Sequence, residues 1–186
     1  MKTNPDLLID QLVEDTKSMI DTVKKHFSPL SEEMLLLKPD ARSWSIAECL
    51  EHLNLYADFY HPVISEKMEE AGPDNASYTF KSGMAGNYFA KSMLPRPKMM
   101  KMNTPRDKNP ANTGLPDQVV QRFLDHQKEM LRLLGIARKR NLNKIKVPLS
   151  LSKWIRFKLG DTFRFVINHN QRHIVQAIGV LDENSD

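Results

Sequence analysis

The chain has 186 residues, of which 40% are hydrophobic and 27% charged, with a formal net charge of +4. This balance predicts one globular domain over residues 1–186 and excludes a polycationic nucleic-acid binder. Cys49 is the one cysteine, which excludes an intrachain disulfide and a cysteine-rich zinc site. No run reaches the ~18 consecutive apolar residues of a membrane span, and no apolar signal segment follows Met1. We therefore expect a cytoplasmic protein without membrane attachment.

Residues 4–27 are predicted to form the first long helix. Apolar side chains recur there every three or four residues, which places them on one helix face. Asn4 provides a capping side chain, and Pro5 suits the first turn. Residues 31–37 are expected to add a short helical turn.

The second long helix is predicted to begin at Ser45 and to run to about Glu70. Ser45 and Glu48 have the spacing of a capping box, in which each side chain binds the other residue's amide. Trp44 precedes this cap, in the position of a hydrophobic staple. Pro62 lies within the segment and is expected to kink the helix, because it removes a backbone donor.

The rest of the chain predicts two more long helices after an irregular connection. Residues 71–115 are rich in Gly and Pro, with a short helix expected within 80–93. The third long helix is predicted over 116–140. A linker without strand pattern follows, and the fourth helix begins near its candidate cap, Asp161, and runs to about Leu181. These segments predict an all-α four-helix bundle with a long crossover connection between the second and third long helices.

Three histidines carry the most informative pattern. His169 and His173 are four residues apart, so a helix places both imidazoles on one face. Two such rings can bind one divalent ion, and a third ring from another helix completes a set with open coordination positions. His52, four residues after Glu48 on the second helix, is the candidate third ligand. Open positions are typical of a catalytic rather than a structural metal.

Each of these residues also has a simpler interpretation. A His-x-x-x-His spacing also arises by chance. Glu48 is a possible fourth ligand, although the capping-box role is favoured. Gln176 either orients the ring of His173 or packs as an ordinary helical residue. Cys49 is a possible nucleophile, although a buried apolar role is favoured. Three further histidines are interpreted as ordinary side chains: His26, His61 and His126.

Two segments, residues 91–108 and 132–158, are rich in Lys and Arg. They indicate either solvated loops or a basic rim that attracts an anionic substrate, with Arg42 and Arg172 as candidate partners of a carboxylate. Nucleic-acid binding is not favoured, because no recognised motif accompanies the charge. Four methionines in the first segment indicate a flexible apolar lining or a partner surface: Met93, Met99, Met100 and Met102.

Two motifs together resemble the DinB/YfiT-like family. Its members carry a Trp-Ser-x-x-Glu-x-Leu-x-His-Leu run on the second helix, matched here without gaps from Trp44 to Leu53. They also carry a His-x-x-x-His-x-x-Gln run on the last helix, matched by His169, His173 and Gln176. The order and spacing of the helices agree over most of the chain.

The resemblance implies a four-helix bundle of DinB/YfiT-like type, often a homodimer. It also implies one divalent metal ion, commonly nickel or zinc, held by His52, His169 and His173. The residue after the first histidine of the last motif is often acidic in the family, whereas this chain has Asn170.

Known activities in the wider family include glutathione-like thiol transferases and thiol-dependent isomerases. The resemblance therefore implies a thiol-dependent transferase, in which the metal activates a low-molecular-weight thiol toward a small-molecule electrophile. One alternative is a metal-dependent hydrolase that uses metal-bound hydroxide. Another is a non-catalytic, stress-related binding bundle in which the metal is structural or absent. A basic docking module for nucleic acid is the third. The sequence identifies no catalytic residue besides these candidate ligands.

Overall fold

The structure, a computed structural model, describes residues 1–74, 78–96, 103–111 and 115–183. Within these residues six α-helices follow one another, and four of them are long. In chain order they are α1 (Pro5–His26), α2 (Glu32–Leu36), α3 (Ile46–Ala71), α4 (Met84–Ser92), α5 (Val119–Ala137) and α6 (Leu159–Glu183). A 3₁₀ turn, Arg106–Lys108, lies between α4 and α5.

The four long helices form the predicted all-α bundle. α1 and α3 each pack against both α5 and α6, so α1 and α3 occupy opposite corners of the bundle. The long crossover connection is confirmed between α3 and α5, the second and third long helices. Apolar side chains meet at the centre, and several of them have no measurable exposure: Phe27, Leu50, Phe123, Leu134 and Phe163.

Local capping chemistry fixes where the first helices begin, as the sequence predicts. The Asn4 side chain accepts hydrogen bonds from the amides of Asp6 at 2.8 Å and Leu7 at 3.2 Å. The Ser45 hydroxyl accepts from the Glu48 amide at 3.1 Å, and the Glu48 carboxylate accepts from the Ser45 amide at 2.9 Å. This capping box sets the start of α3 and thereby the position of every side chain that follows on it.

Other boundaries differ slightly from the predicted ones. The third long helix, predicted over 116–140, spans Val119–Ala137. Gln118, directly before it, has a φ of 62° in the left-handed region, so regular helix cannot extend further toward the N-terminus. The short helix predicted within 80–93 is confirmed as α4. Pro62 lies inside α3, and the kink expected there stays a prediction.

The prediction that Asp161 caps the last helix is wrong. α6 begins two residues earlier, at Leu159, because the preceding strand runs directly into the helix. The fully buried Asp161 carboxylate instead accepts hydrogen bonds from the Ser82 hydroxyl and, at 2.8 Å, from the Gly83 amide. It also pairs with Arg164 at 3.1 Å. Asp161 therefore joins the N-terminus of α4 to α6.

The described residues also form two small antiparallel strand pairs, although the sequence predicts no strand. The pairs are β1 (Lys2–Thr3) with β2 (Phe80–Lys81), and β3 (Lys146–Leu149) with β4 (Ser152–Lys158). In the second pair Val147 lies opposite Phe157, and the ring of Phe157 lies 6.2 Å from that of Phe165 on α6. The predicted linker is therefore a hairpin that packs beside α6. No helix in the described ranges is long and apolar enough to span a bilayer.

Candidate metal centre

The structure brings His52 of α3 together with His169 and His173 of α6. The Nε2 atoms of His52 and His169 are 3.2 Å apart. The centroid of the His173 ring lies 4.6 Å from that of His52 and 4.7 Å from that of His169. One nitrogen from each ring falls within 4.8 Å of the others, so the three rings form a group that could hold a single ion. The convergence expected from the two motifs is therefore present.

Hydrogen bonds at the outer nitrogens orient two of the three rings. His52 Nδ1 lies 2.6 Å from the Lys108 carbonyl oxygen, and a carbonyl only accepts, so Nδ1 carries the proton. His173 Nδ1 lies 2.9 Å from Gln176 Oε1, which confirms Gln176 as the partner of this ring. In both rings Nε2 is then the unprotonated nitrogen, and that of His52 faces His169.

His169 is held differently from the other two rings. Its Nδ1 is buried without a hydrogen-bond partner. The ring stacks on Phe165 with the planes 2° apart and the centroids separated by 6.1 Å. Asn170, the position that is often acidic in the family, donates instead to Gln127 Oε1 at 3.3 Å. Stacking on Phe165 and the contact of its Nε2 with His52, rather than a hydrogen bond from Asn170, therefore orient this ring.

Burial keeps the three imidazoles neutral. His52 is 2% exposed and His169 6% exposed. Desolvation lowers the pKa of His52 to about 4 and that of His173 to about 3, and it lowers the pKa of His169 well below its usual value. The positive charge of Arg172 acts in the same direction on His169 and His173. Neutral imidazole is the form that binds a metal, so the site is ready for one at neutral pH.

Aromatic side chains surround the rings. The Trp44 ring lies 4.8 Å from that of His52 and 5.7 Å from that of His173. The Tyr56 ring lies 4.9 Å from that of His52 and 4.6 Å from that of His169. Burial also raises the pKa of Tyr56 to about 12, so its hydroxyl stays protonated. These walls exclude water and lower the local dielectric constant around the histidines.

The geometry and chemistry of the donors fit a divalent metal ion. Two nitrogens bound at about 2.05 Å to a tetrahedral ion are about 3.3 Å apart, close to the 3.2 Å between the Nε2 atoms of His52 and His169. No fourth His, Cys, Asp or Glu joins this group in the part of the chain that the structure describes. Glu48 in particular is engaged in the capping box and in a 2.7 Å ion pair with Lys38.

Sequence reasoning missed the contribution of the crossover connection. The 3₁₀ turn is attached to α3 by the Lys108 ammonium, which donates to the Leu55 carbonyl at 3.0 Å. This attachment holds the Lys108 carbonyl against His52. A backbone carbonyl leaves no signal in a sequence, so no motif could have predicted this contact. Tyr56 was detectable, because it lies one helical turn after His52.

The remaining candidates lie outside this group or beyond the described residues. Cys49 is fully buried, and burial together with the Glu48 charge raises the pKa of its thiol, in agreement with a core role. Arg42 is exposed on the loop before α3, whereas Arg172 is half-buried beside His173. Among the four methionines, Met93 is buried and the other three lie outside the described residues.

Comparisons with known proteins agree with this architecture. A sequence model of the DinB superfamily matches residues 16–177. No curated protein matches the chain significantly. Among solved structures, YfiT from Bacillus subtilis is similar, with a TM-score of 0.59 at 13% identity over 95% of this chain and 87% of that one. YfiT is described as a probable metal-dependent hydrolase with an unusual four-helix bundle topology. At this identity the likeness concerns the fold.

Proposed function

This chain belongs to the DinB superfamily, and from that premise we propose that it is a metal-dependent hydrolase of small molecules. His52, His169 and His173 would hold one divalent ion, nickel or zinc. The observation that carries the proposal is the convergence of three neutral imidazoles, two buried and the third half-buried, with no fourth ligand among the described residues. When bound, such an ion supplies Lewis acidity that activates a nucleophile at neutral pH. The description of the similarly folded YfiT favours hydrolysis as the reaction.

The surrounding residues have distinct roles in this proposal. The Lys108 carbonyl and Gln176 keep two rings in the tautomer and orientation that a metal requires. Trp44 and Tyr56 exclude bulk water, which strengthens electrostatic interactions with the substrate.

Positive charge beside the site favours an anionic substrate. Burial lowers the pKa of Arg172, and the nearby charge of Arg96 lowers it further. Two guanidinium groups close enough to repel each other are stabilised when a carboxylate or phosphate binds near them. Arg172 is adjacent to His173 in sequence, so an anionic group held there lies near the imidazoles.

A thiol-dependent transferase is the second candidate. Thiolate sulfur is a strong ligand for zinc and nickel, and a carboxylated thiol would gain an additional anchor from the charge of Arg172. The observation that favours this reaction is the same pair of arginines, which suits a small thiol that carries carboxylates. Homodimer formation and a cytoplasmic location, expected from the sequence, stay predictions.

Metal content and activity measured on the same samples test the proposal. We expect wild-type protein to contain nickel or zinc at this site and the His52→Ala, His169→Ala and His173→Ala variants to lose that ion. His26→Ala, which alters a histidine on α1, is the matched control and should retain it. Each sample is then assayed for ester and amide hydrolysis and for thiol conjugation, with and without a chelator. Full metal occupancy in the triple alanine variant would overturn the metal site, and conjugation without hydrolysis would favour the transferase.

A further inference from the structure

A second pair of histidines lies on the opposite side of α3. His61 follows His52 by nine residues, which corresponds to about half a turn around the helix axis at ~100° per residue. Its ring meets that of His126 on α5, with centroids 5.4 Å apart and planes inclined by 70°. His61 is only 5% exposed, yet neither of its ring nitrogens has a hydrogen-bond partner. A buried imidazole without partners is costly unless something satisfies it.

The two rings line a groove between α3 and α5 with a volume of about 590 Å³. Among the described residues, the lining contains no Lys or Arg. Four carboxylates share it with the histidines: Asp58, Glu66, Glu69 and Glu129. Three of these acids pair with bases at the margins, namely Asp58 with Arg122, Glu66 with Lys67, and Glu129 with Arg132. The groove therefore combines negative charge with imidazole nitrogens, a setting for a cation.

Both imidazoles are neutral in this setting. Burial lowers the pKa of His61 to about 4, with a further lowering from His126 and an opposing effect from Glu129. Burial also lowers the pKa of His126, against the opposing charge of Asp58. Each ring thus offers a lone pair at neutral pH, and imidazole lone pairs select transition metals over magnesium and calcium, which prefer oxygen.

We propose that His61 and His126 bind a second divalent transition-metal ion, with a carboxylate of Asp58 or Glu129 as an oxygen ligand. Two imidazoles that share a tetrahedral ion have ring centroids about 5 Å apart. The observed 5.4 Å is close to this value and to the 4.6 to 5.0 Å between rings at the first centre. His126 Nε2 already lies 3.3 Å from Asp58 Oδ1, although the two are not aligned for a hydrogen bond.

The ion would join α3 to α5 and requires a small side-chain adjustment. Among the described residues, donor atoms of three residues already meet only at the first centre. Asp58 Oδ1 and His126 Nε2 are already 3.3 Å apart, so a nitrogen of His61 must move closer to them when the ion binds. The side chain of Asp58 is 44% exposed and that of Glu129 is 36% exposed, so a carboxylate has room to follow the ion. This site shares no residue with the first and does not depend on the proposed hydrolase activity.

Zinc titration of chelator-treated protein tests the second site. In a variant that lacks the first centre, His52→Ala with His169→Ala and His173→Ala, we expect one equivalent of zinc to bind. Adding His61→Gln and His126→Gln should abolish that binding, whereas adding His26→Gln should not. Cobalt in place of zinc should give visible absorption bands that disappear with the same two substitutions.

The outcomes separate this proposal from the proposed function. No zinc binding by the folded triple variant, or equal binding after the His61 and His126 substitutions, overturns the second site. If the triple variant fails to fold, the substitutions His61→Gln and His126→Gln are made in wild-type protein. Zinc binding should then fall by one equivalent while the three-histidine centre stays loaded, and an unchanged stoichiometry would refute the second site. If only the three-histidine centre fails to bind zinc, the equivalent of zinc that depends on His61 and His126 should still be measured.

Discussion

Replacement of Gln176 by leucine should weaken metal binding without removing a ligand. Gln176 Oε1 lies 2.9 Å from His173 Nδ1 and fixes the proton on that nitrogen. Gln176→Leu retains similar side-chain volume but leaves the ring free to rotate and to change tautomer. Loss of such a supporting hydrogen bond reduces metal affinity by about 10- to 100-fold, or about 1.4 to 2.7 kcal/mol. We expect the zinc dissociation constant to rise by that factor.

Competition with a chelator of known affinity measures this change. Gln176→Glu supplies a charged acceptor at the same atom position and should bind zinc at least as tightly as wild type. Gln171→Leu, on the same helix but without a hydrogen bond to these imidazoles in the described part of the chain, is the matched control. Equal zinc affinity in Gln176→Leu and wild type would refute the claim that this hydrogen bond prepares His173 as a ligand.

Three further predictions concern stability and substrate binding. Metal-free protein should lose stability as the pH falls from about 6.5 toward 4, because His52 is neutral when folded and gains a proton on unfolding. Its lowered pKa corresponds to a loss of about 3 kcal/mol in the free energy of unfolding. Urea unfolding across that pH range measures the loss. Gly160→Ala should destabilise the fold by about 1 to 3 kcal/mol, because its Cβ would lie 2.5 Å from the Phe80 ring, whereas Gly179→Ala, with open space around it, should be tolerated. Arg172→Met should raise the KM for anionic substrates about tenfold and leave metal content unchanged; an unchanged KM would exclude Arg172 from substrate binding.

Local chemistry made much of the fold predictable. The capping box at Ser45 and the capping side chain of Asn4 depend on neighbours within three residues, so the sequence contains all that determines them. The apolar spacing on the long helices likewise follows from helix geometry. The start of the last helix was harder to predict. The Asp161 carboxylate accepts a hydrogen bond from the distant Gly83 amide and does not cap its own helix.

The hairpin escaped prediction because its first strand, which buries Val147 and Leu149 on one face, alternates over only four residues. Val147 and Phe157 are one of its cross-strand pairs, and Phe157 packs against Phe165 of α6. Pro148 also interrupts the first strand; it is unfavourable for a strand interior and is tolerated here beside the irregularity in the pairing. Tertiary context therefore decided the local structure.

The first histidine centre was predictable and the second was not, for a geometric reason. The four-residue spacing of His169 and His173 places both on one helix face, and the two family motifs indicate that His52 lies near them. His61 and His126 are single histidines on separate helices, and nothing in their flanking residues fixes the register between α3 and α5. The sequence therefore favours ordinary side chains at both positions, whereas the structure places their rings side by side.

Anomalous diffraction from crystals grown with zinc or nickel tests the central claim most directly. The account predicts a metal peak within about 2.1 Å of the Nε2 atoms of His52, His169 and His173, with no fourth protein ligand. Absence of a peak among these rings, in crystals of protein that binds the metal in solution, would contradict it.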